Sequence, residues 1–146
     1  MNSGAAGKLY TPAMLSLATE LANFPLSGQW PFKASARSRT CGSTVDLGLR
    51  LGEDGRIDAI GLKISACAIG QASAALLARS IRGKSPTEIL DVRNAVAIWL
   101  EGKAELPDWQ DFELIEAARE SKGRHGALML SWNAAAEALS MVEANS

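Results

Sequence analysis

Residues 40–67 read TCGSTVDLGLRLGEDGRIDAIGLKISAC, and this stretch decides the fold. Val45, Leu47, Leu49 and Leu51 alternate with Thr44, Asp46, Gly48 and Arg50, the period-two pattern of a strand with one buried face. Glu53-Asp54-Gly55 supplies the turn, because Asp-Gly tolerates the positive φ angles of tight hairpins. A second strand follows through Ile57, Ile60, Leu62 and Ile64, and its change of parity between Ile57 and Ile60 predicts a β-bulge there. With the turn centred on Asp54, Cys41 lies 13 residues before the centre and Cys67 lies 13 after it. Positions equidistant from an antiparallel turn sit side by side, so both thiols are expected at the open end of the hairpin.

Outward from the hairpin the chain alternates between helix signals and short irregular links. Thr11-Pro12 opens a first helix, with Thr as N-cap, Pro at the first position and a stripe of Met14, Leu17, Ala18 and Leu21. Pro25 and Gly28 end it, residues 24–32 read as irregular, and residues 33–39 as a weak edge strand. After Cys67, Gly70-Gln71 leads into a helix of small residues over 72–81. Ser85-Pro86-Thr87-Glu88 is a helix start with the pattern of a capping box, followed by Ile89, Val92, Val96 and Trp99/Leu100. Residues 102–111 form a turn-rich link before a short helix around 112–118. Residues 121–126 read as a polar loop holding the only histidine, His125, and a last helix carries Leu128, Trp132, Ala135, Leu139 and Val142 on one face. The expected class is α+β, one domain over 1–146 in which a small antiparallel sheet has helices packed on one face and residues 1–8 are a disordered lead-in.

Composition narrows the function. Fifteen basic and sixteen acidic side chains leave a formal charge of −1, without the broad cationic field that a nucleic acid partner needs. Lys33, Arg37 and Arg39 form the one basic stretch of note, read either as a solvated strand face or as a docking patch for an acidic protein. No apolar stretch approaches the roughly 20 residues of a membrane span, and residues 1–7 lack the pattern of a signal peptide, so the cytoplasm is the expected compartment. In a reducing compartment a lone cysteine pair points to metal binding or reactivity before a structural disulfide.

Small residues surround both cysteines, in Thr40-Cys41-Gly42-Ser43 and Ser65-Ala66-Cys67-Ala68, and let sulfur approach a metal or an attacking group. Cys67 precedes a helix N-terminus, whose dipole and N–H groups favour a thiolate, the ligating and reactive form. His125 lies beside another helix start, and neutral imidazole is the commonest metal ligand. Burial of the cysteines as small hydrophobes, or a reversible disulfide between them, are the competing structural readings. Trp30, Trp99, Trp109 and Trp132 read as packing residues. No nucleophile elbow or phosphate-cradling glycine loop occurs.

At these residues the sequence resembles the NifU/IscU/SufU family of iron–sulfur cluster assembly scaffolds. The resemblance runs from Leu9-Tyr10-Thr11-Pro12 through Thr40-Cys41-Gly42, the Asp-Gly hairpin and Ser65-Ala66-Cys67-Ala68-Ile69. It continues in Gln71-Ala72-Ser73-Ala74, Gly83-Lys84-Ser85 and residues 127–138, with Ser131-Trp132-Asn133-Ala134 closer to the SufU branch. It implies a SufE/NifU-like fold, a scaffold and not an enzyme, a transient iron–sulfur cluster, iron or zinc as cargo, and a cysteine desulfurase and cluster-recipient proteins as partners. Cys41 and Cys67 match the family's first two cysteines, and His125 falls at or near its histidine. The chain departs from the pattern at Ser43, where an aspartate is expected, and at Gly126 or Ala127, where the third cysteine is expected.

Three functions follow as expectations. The first is a divergent scaffold or carrier in which Cys41, Cys67 and His125 hold a labile cluster or metal. A partner, a small thiol or a second subunit of a homo-oligomer would complete the four donors that such sites use. The second is a persulfide acceptor working with a desulfurase through Cys41 or Cys67. The third is a degenerate interaction module that keeps the fold without the metal.

Overall fold

In the computed structural model the described residues are 10–39 and 42–144, with side chains given through 142. The expected disorder of residues 1–8 therefore lies outside the described residues. So does Cys41.

Helix α1 spans Pro12–Thr19 and begins as the sequence predicts, with the Thr11 hydroxyl accepting the Met14 N–H at 3.1 Å and Pro12 in the first turn. Met14 and Leu17 are buried, and a 3-10 turn over Glu20–Asn23 ends the element. Strands β1 (Phe32–Arg37), β2 (Thr44–Leu51) and β3 (Ile57–Ser65) form an antiparallel sheet in the order β1-β2-β3. The α+β class is borne out, and so is the bulge. Arg50 pairs with Ala59 but Leu51 pairs with Ile57, so Asp58 is the extra residue, and its carboxylate is held by Arg50 Nε at 2.9 Å. In the turn, the Arg56 N–H donates to Asp54 Oδ1 at 3.0 Å, and Gly55 takes φ +77°, a backbone state that costs other residues a steric clash with Cβ.

Helices α2 (Ala68–Ser80), α3 (Pro86–Leu100) and α4 (His125–Ala144) complete the layer. Helix α4 packs on β1 and β2 and also contacts α2 and α3, while α1 packs against α2. Val45, Leu47, Leu49, Ile60 and Leu62 turn one face of the hairpin into this core. Each such buried aliphatic side chain contributes about 1.5–3 kcal/mol. Trp109, Trp132, Trp99 and Phe112 knit the helices together by edge-on ring contacts, with centroids 5.0 Å apart for Trp109–Trp132 and 5.3 Å for Trp99–Phe112.

Two local expectations change. The helix after Cys67 starts at Ala68, four residues earlier than its pattern suggests. Gly70, read in sequence as the lead-in, lies inside the helix, and its lack of a β-carbon admits the Ala127 carbonyl of α4, which would be 3.2 Å from one. The segment Phe112–Glu120 is a 3-10 helix broken at Ile115, and not an α-helix. Its entry residue, Asp111, has φ 63° and pairs with Arg79, which also binds Glu20 at 2.9 Å.

The outer face of the sheet holds a feature that alternation alone conceals. Gly48 and Gly61 are cross-strand partners, and Trp30 lies over both. A β-carbon on Gly48 would be 2.4 Å from the Trp30 ring, and one on Gly61 would be 2.6 Å from both the ring and the Pro25 carbonyl. Of the four tryptophans, three are buried among the helices and Trp30 covers this glycine pair. No helix among the described residues is long and apolar enough to cross a membrane.

Candidate functional site

The open end of the hairpin is shaped by β2 and β3, whose last pair is Thr44 with Ser65. Because the bulge inserts one residue into β3, the register at this end is displaced by one from the symmetric count. Continued beyond the ladder, it sets Cys67 opposite Gly42, the neighbour of Cys41. Gly42, Ser43, Ser65, Ala66 and Cys67 line one open depression of about 250 Å³. Ser38 and Ser43 close the loop on the other side, with the Ser38 N–H donating to the Ser43 carbonyl at 2.8 Å and the Gly42 N–H to Ser38 at 3.1 Å. Gly42 takes φ +71°. Ser43, which stands where the resemblance expects an aspartate, is buried in this loop.

Cys67 is half-buried and is the N-cap residue of α2, with φ −66° and ψ 172°. Its sulfur lies at the start of a helix of 13 residues and accepts no first-turn N–H. Unpaired N–H groups and the helix dipole make such an end attractive to anions. Gln71, one turn into the helix, reaches back to donate its side-chain N–H to the Ala66 carbonyl at 2.8 Å.

His125 is the first residue of α4 instead of a loop residue. Its Nε2 is 2.7 Å from the Arg119 carbonyl. A carbonyl can only accept, so Nε2 carries the proton of this bond, and in the neutral ring Nδ1 keeps the lone pair. The ring lines a separate cavity with Ala97, Leu100, Glu101, Lys122 and Met129. The structure therefore does not bring His125 into the depression of Cys67, and among the described residues no three His, Cys, Asp or Glu side chains form a metal-holding group.

The two helix starts are nonetheless neighbours. Gly70 abuts Ala127, and the buried Ser73 hydroxyl donates to the Leu128 carbonyl at 2.7 Å while accepting the Trp132 Nε1–H at 3.0 Å. These contacts advance along both helices in the same direction, so α2 and α4 present their N-termini at one end of the molecule. Sequence reasoning named Gln71-Ala72-Ser73-Ala74 as part of a resemblance without a physical role. In the structure Ser73 of that motif joins the two helices, and Gln71 bonds the chain entering α2.

No family model matches the chain by sequence, and no curated protein does. Solved structures match over nearly all of it. The N-terminal part of a nitrogen-fixing NifU-like protein from Brucella abortus is 26% identical, with 97% of this chain and 99% of that chain covered at a TM-score of 0.89. An iron–sulfur cluster assembly scaffold protein, described as putative, for the SUF system of Fervidobacterium islandicum is 19% identical over 91% of this chain and 98% of that one, with a TM-score of 0.82. A hypothetical protein of 21% identity matches at a TM-score of 0.67 over 96% of this chain and 99% of that one. The resemblance read from the residues around Cys41, Cys67 and Gln71 is borne out, and the chain is a divergent protein of NifU/SufU-like fold.

Proposed function

We propose that this protein is an iron–sulfur cluster assembly scaffold or carrier that takes a labile cluster, or its iron, as cargo on Cys41 and Cys67. The observation that supports this reading is the depression shared by Cys67 and Gly42, at the uncapped start of α2 and on a NifU/SufU-like fold. Thiolates are the usual ligands of such clusters. The donor set is short: the two cysteines, with His125 facing a separate cavity beside the neighbouring helix start. Four donors are wanted, so a partner, a small thiol or a second copy of the chain completes the shell. Incomplete ligation weakens retention and favours hand-over to a recipient, and zinc would be held through the same donors. This role belongs to a binding protein of the cytoplasm and needs no turnover. Anaerobic reconstitution with ferrous iron and sulfide tests it. The expected result is a coloured, cluster-bearing protein whose loading is lost in Cys41→Ala and Cys67→Ala; a colourless, metal-free product would refute it.

A second reading is favoured by the position of Cys67 at the helix start, where an anionic sulfur is accommodated. There the thiolate attacks the terminal sulfur of a cysteine desulfurase persulfide. A new S–S bond forms at Cys67, the S–S bond to the desulfurase breaks, and the desulfurase cysteine leaves as its thiolate. Incubation with a desulfurase and cysteine should add one sulfur atom to the mass; an unmodified mass removes this reading.

A further inference from the structure

We infer that Gln71 is a positioning residue that holds Cys67 in its cap conformation while leaving the first-turn N–H groups of α2 available to sulfur. This rests on the reading of Cys67 as a sulfur or cluster ligand given above. An ordinary N-cap spends its side-chain oxygen on a first-turn N–H. Among the described residues Thr11 does this by accepting the Met14 N–H, and Ser85 by accepting the Glu88 N–H at 3.1 Å. Cys67 makes no such bond. A cap without one frays more readily, because its conformation is no longer tied to the helix it begins.

Gln71 supplies the missing tie from the opposite direction. Its backbone N–H donates to the Cys67 carbonyl at 3.0 Å, and its side-chain N–H donates to the Ala66 carbonyl at 2.8 Å. One residue thereby grips the peptide carbonyls on both sides of the cysteine. Both bonds use donors of Gln71 and acceptors of the entering chain. Neither consumes an N–H of residues 68–70, which a Ser or Asp cap would occupy. The amide nitrogen, not the oxygen, must face Ala66, since the partner is a carbonyl. The grip is braced from behind, where a β-carbon on Gly70 would lie 2.7 Å from the Ala66 side chain and 3.2 Å from the Ala127 carbonyl. Ala66 and the first turn of α2 thus have little room to shift against α4.

The test compares Gln71→Met, which keeps length and packing but loses the donor, with Gln71→Lys, which restores a donor on a chain of similar reach. Amide hydrogen exchange at residue 71, whose N–H is bonded to the Cys67 carbonyl, should quicken about fivefold in Gln71→Met after correction for intrinsic rates, the effect of one hydrogen bond of ordinary net strength. Exchange at residues 74–78 of α2 should change less, the melting temperature should fall by no more than about 3 °C, and Gln71→Lys should return the exchange to within about twofold of the parent. In protein reconstituted with iron and sulfide, release of the cluster to a chelator should quicken in Gln71→Met by a similar factor and recover in Gln71→Lys. Unchanged exchange at residue 71, or a change spread evenly over α2, overturns the inference. So does unchanged release from a loaded protein, even though the scaffold reading would then stand. If the parent takes up no cluster, the scaffold reading falls, and the exchange data with the Lys rescue decide the role of Gln71 alone.

Discussion

Ser73→Ala is expected to be one of the most costly single-atom deletions in this molecule. Ser73 is fully buried, and its hydroxyl donates to the Leu128 carbonyl at 2.7 Å and accepts the Trp132 Nε1–H at 3.0 Å. Trp132 is also fully buried, so the deletion strands an indole N–H where no water reaches it. A buried donor left without a partner costs about 1–3 kcal/mol, and the lost bond to Leu128 adds about 1 kcal/mol. The expected loss is therefore about 2–4 kcal/mol, a sizeable part of the 5–15 kcal/mol typical of a domain. For 146 residues the unfolding entropy near the midpoint is about 0.3 kcal/mol/K, so the melting temperature should fall by about 7–13 °C. Urea denaturation followed by tryptophan fluorescence measures the free energy, and calorimetry measures the midpoint. A double-mutant cycle with Trp132→Phe isolates the cause, because removing the donor removes the stranded group. The double variant should cost at least 1 kcal/mol less than the two single losses together. A Ser73→Ala protein within 0.5 kcal/mol of the parent, or strict additivity in the cycle, would refute the reasoning.

The remaining predictions concern three other positions. Gly48→Val should lift Trp30 off the sheet and cost about 1–3 kcal/mol, since the new β-carbon would sit 2.4 Å from the ring; unchanged stability and unchanged Trp30 fluorescence would show that the ring is not seated there. Ser85→Ala should cost about 1 kcal/mol by removing the acceptor of the Glu88 N–H, seen as a lower urea midpoint at an unchanged slope. His125→Ala should leave the loading and the lifetime of a reconstituted cluster unchanged, because its ring lines a cavity separate from that of Cys67. A shortened half-life would put His125 in the ligand set.

Much of the fold was legible because it rests on short-range rules. Alternation of Val45, Leu47 and Leu49 fixes the buried face of β2, and the parity slip after Ile57 marks the bulge at Asp58. Thr11 and Ser85 announce their helices through side chains that bond three residues ahead. The start of α2 was not legible, because neither Cys67 nor Gly70 is a local helix signal. Gly70 is there for the close approach of Ala127, a contact between residues far apart in the chain. Gly48 and Gly61 escaped for the same reason: each looks like a weak strand position until Trp30 is laid across both.

For the site, the sequence by itself pointed to the two cysteines, expected at one end of the hairpin among small residues, of which Cys41 lies outside the described residues. That inference needs only the count from a turn, since antiparallel pairing converts distance along the chain into proximity. Tertiary structure decided the rest. The bulge displaced the count by one and set Cys67 across from Gly42, while packing of α4 placed His125 in a different cavity from Cys67. Gln71 and Ser73 acquired their roles only when Ala66, Leu128 and Trp132 came within hydrogen-bonding distance. A hydrogen bond needs its partner within about 3 Å, and sequence order carries no such distance once the chain has folded back on itself.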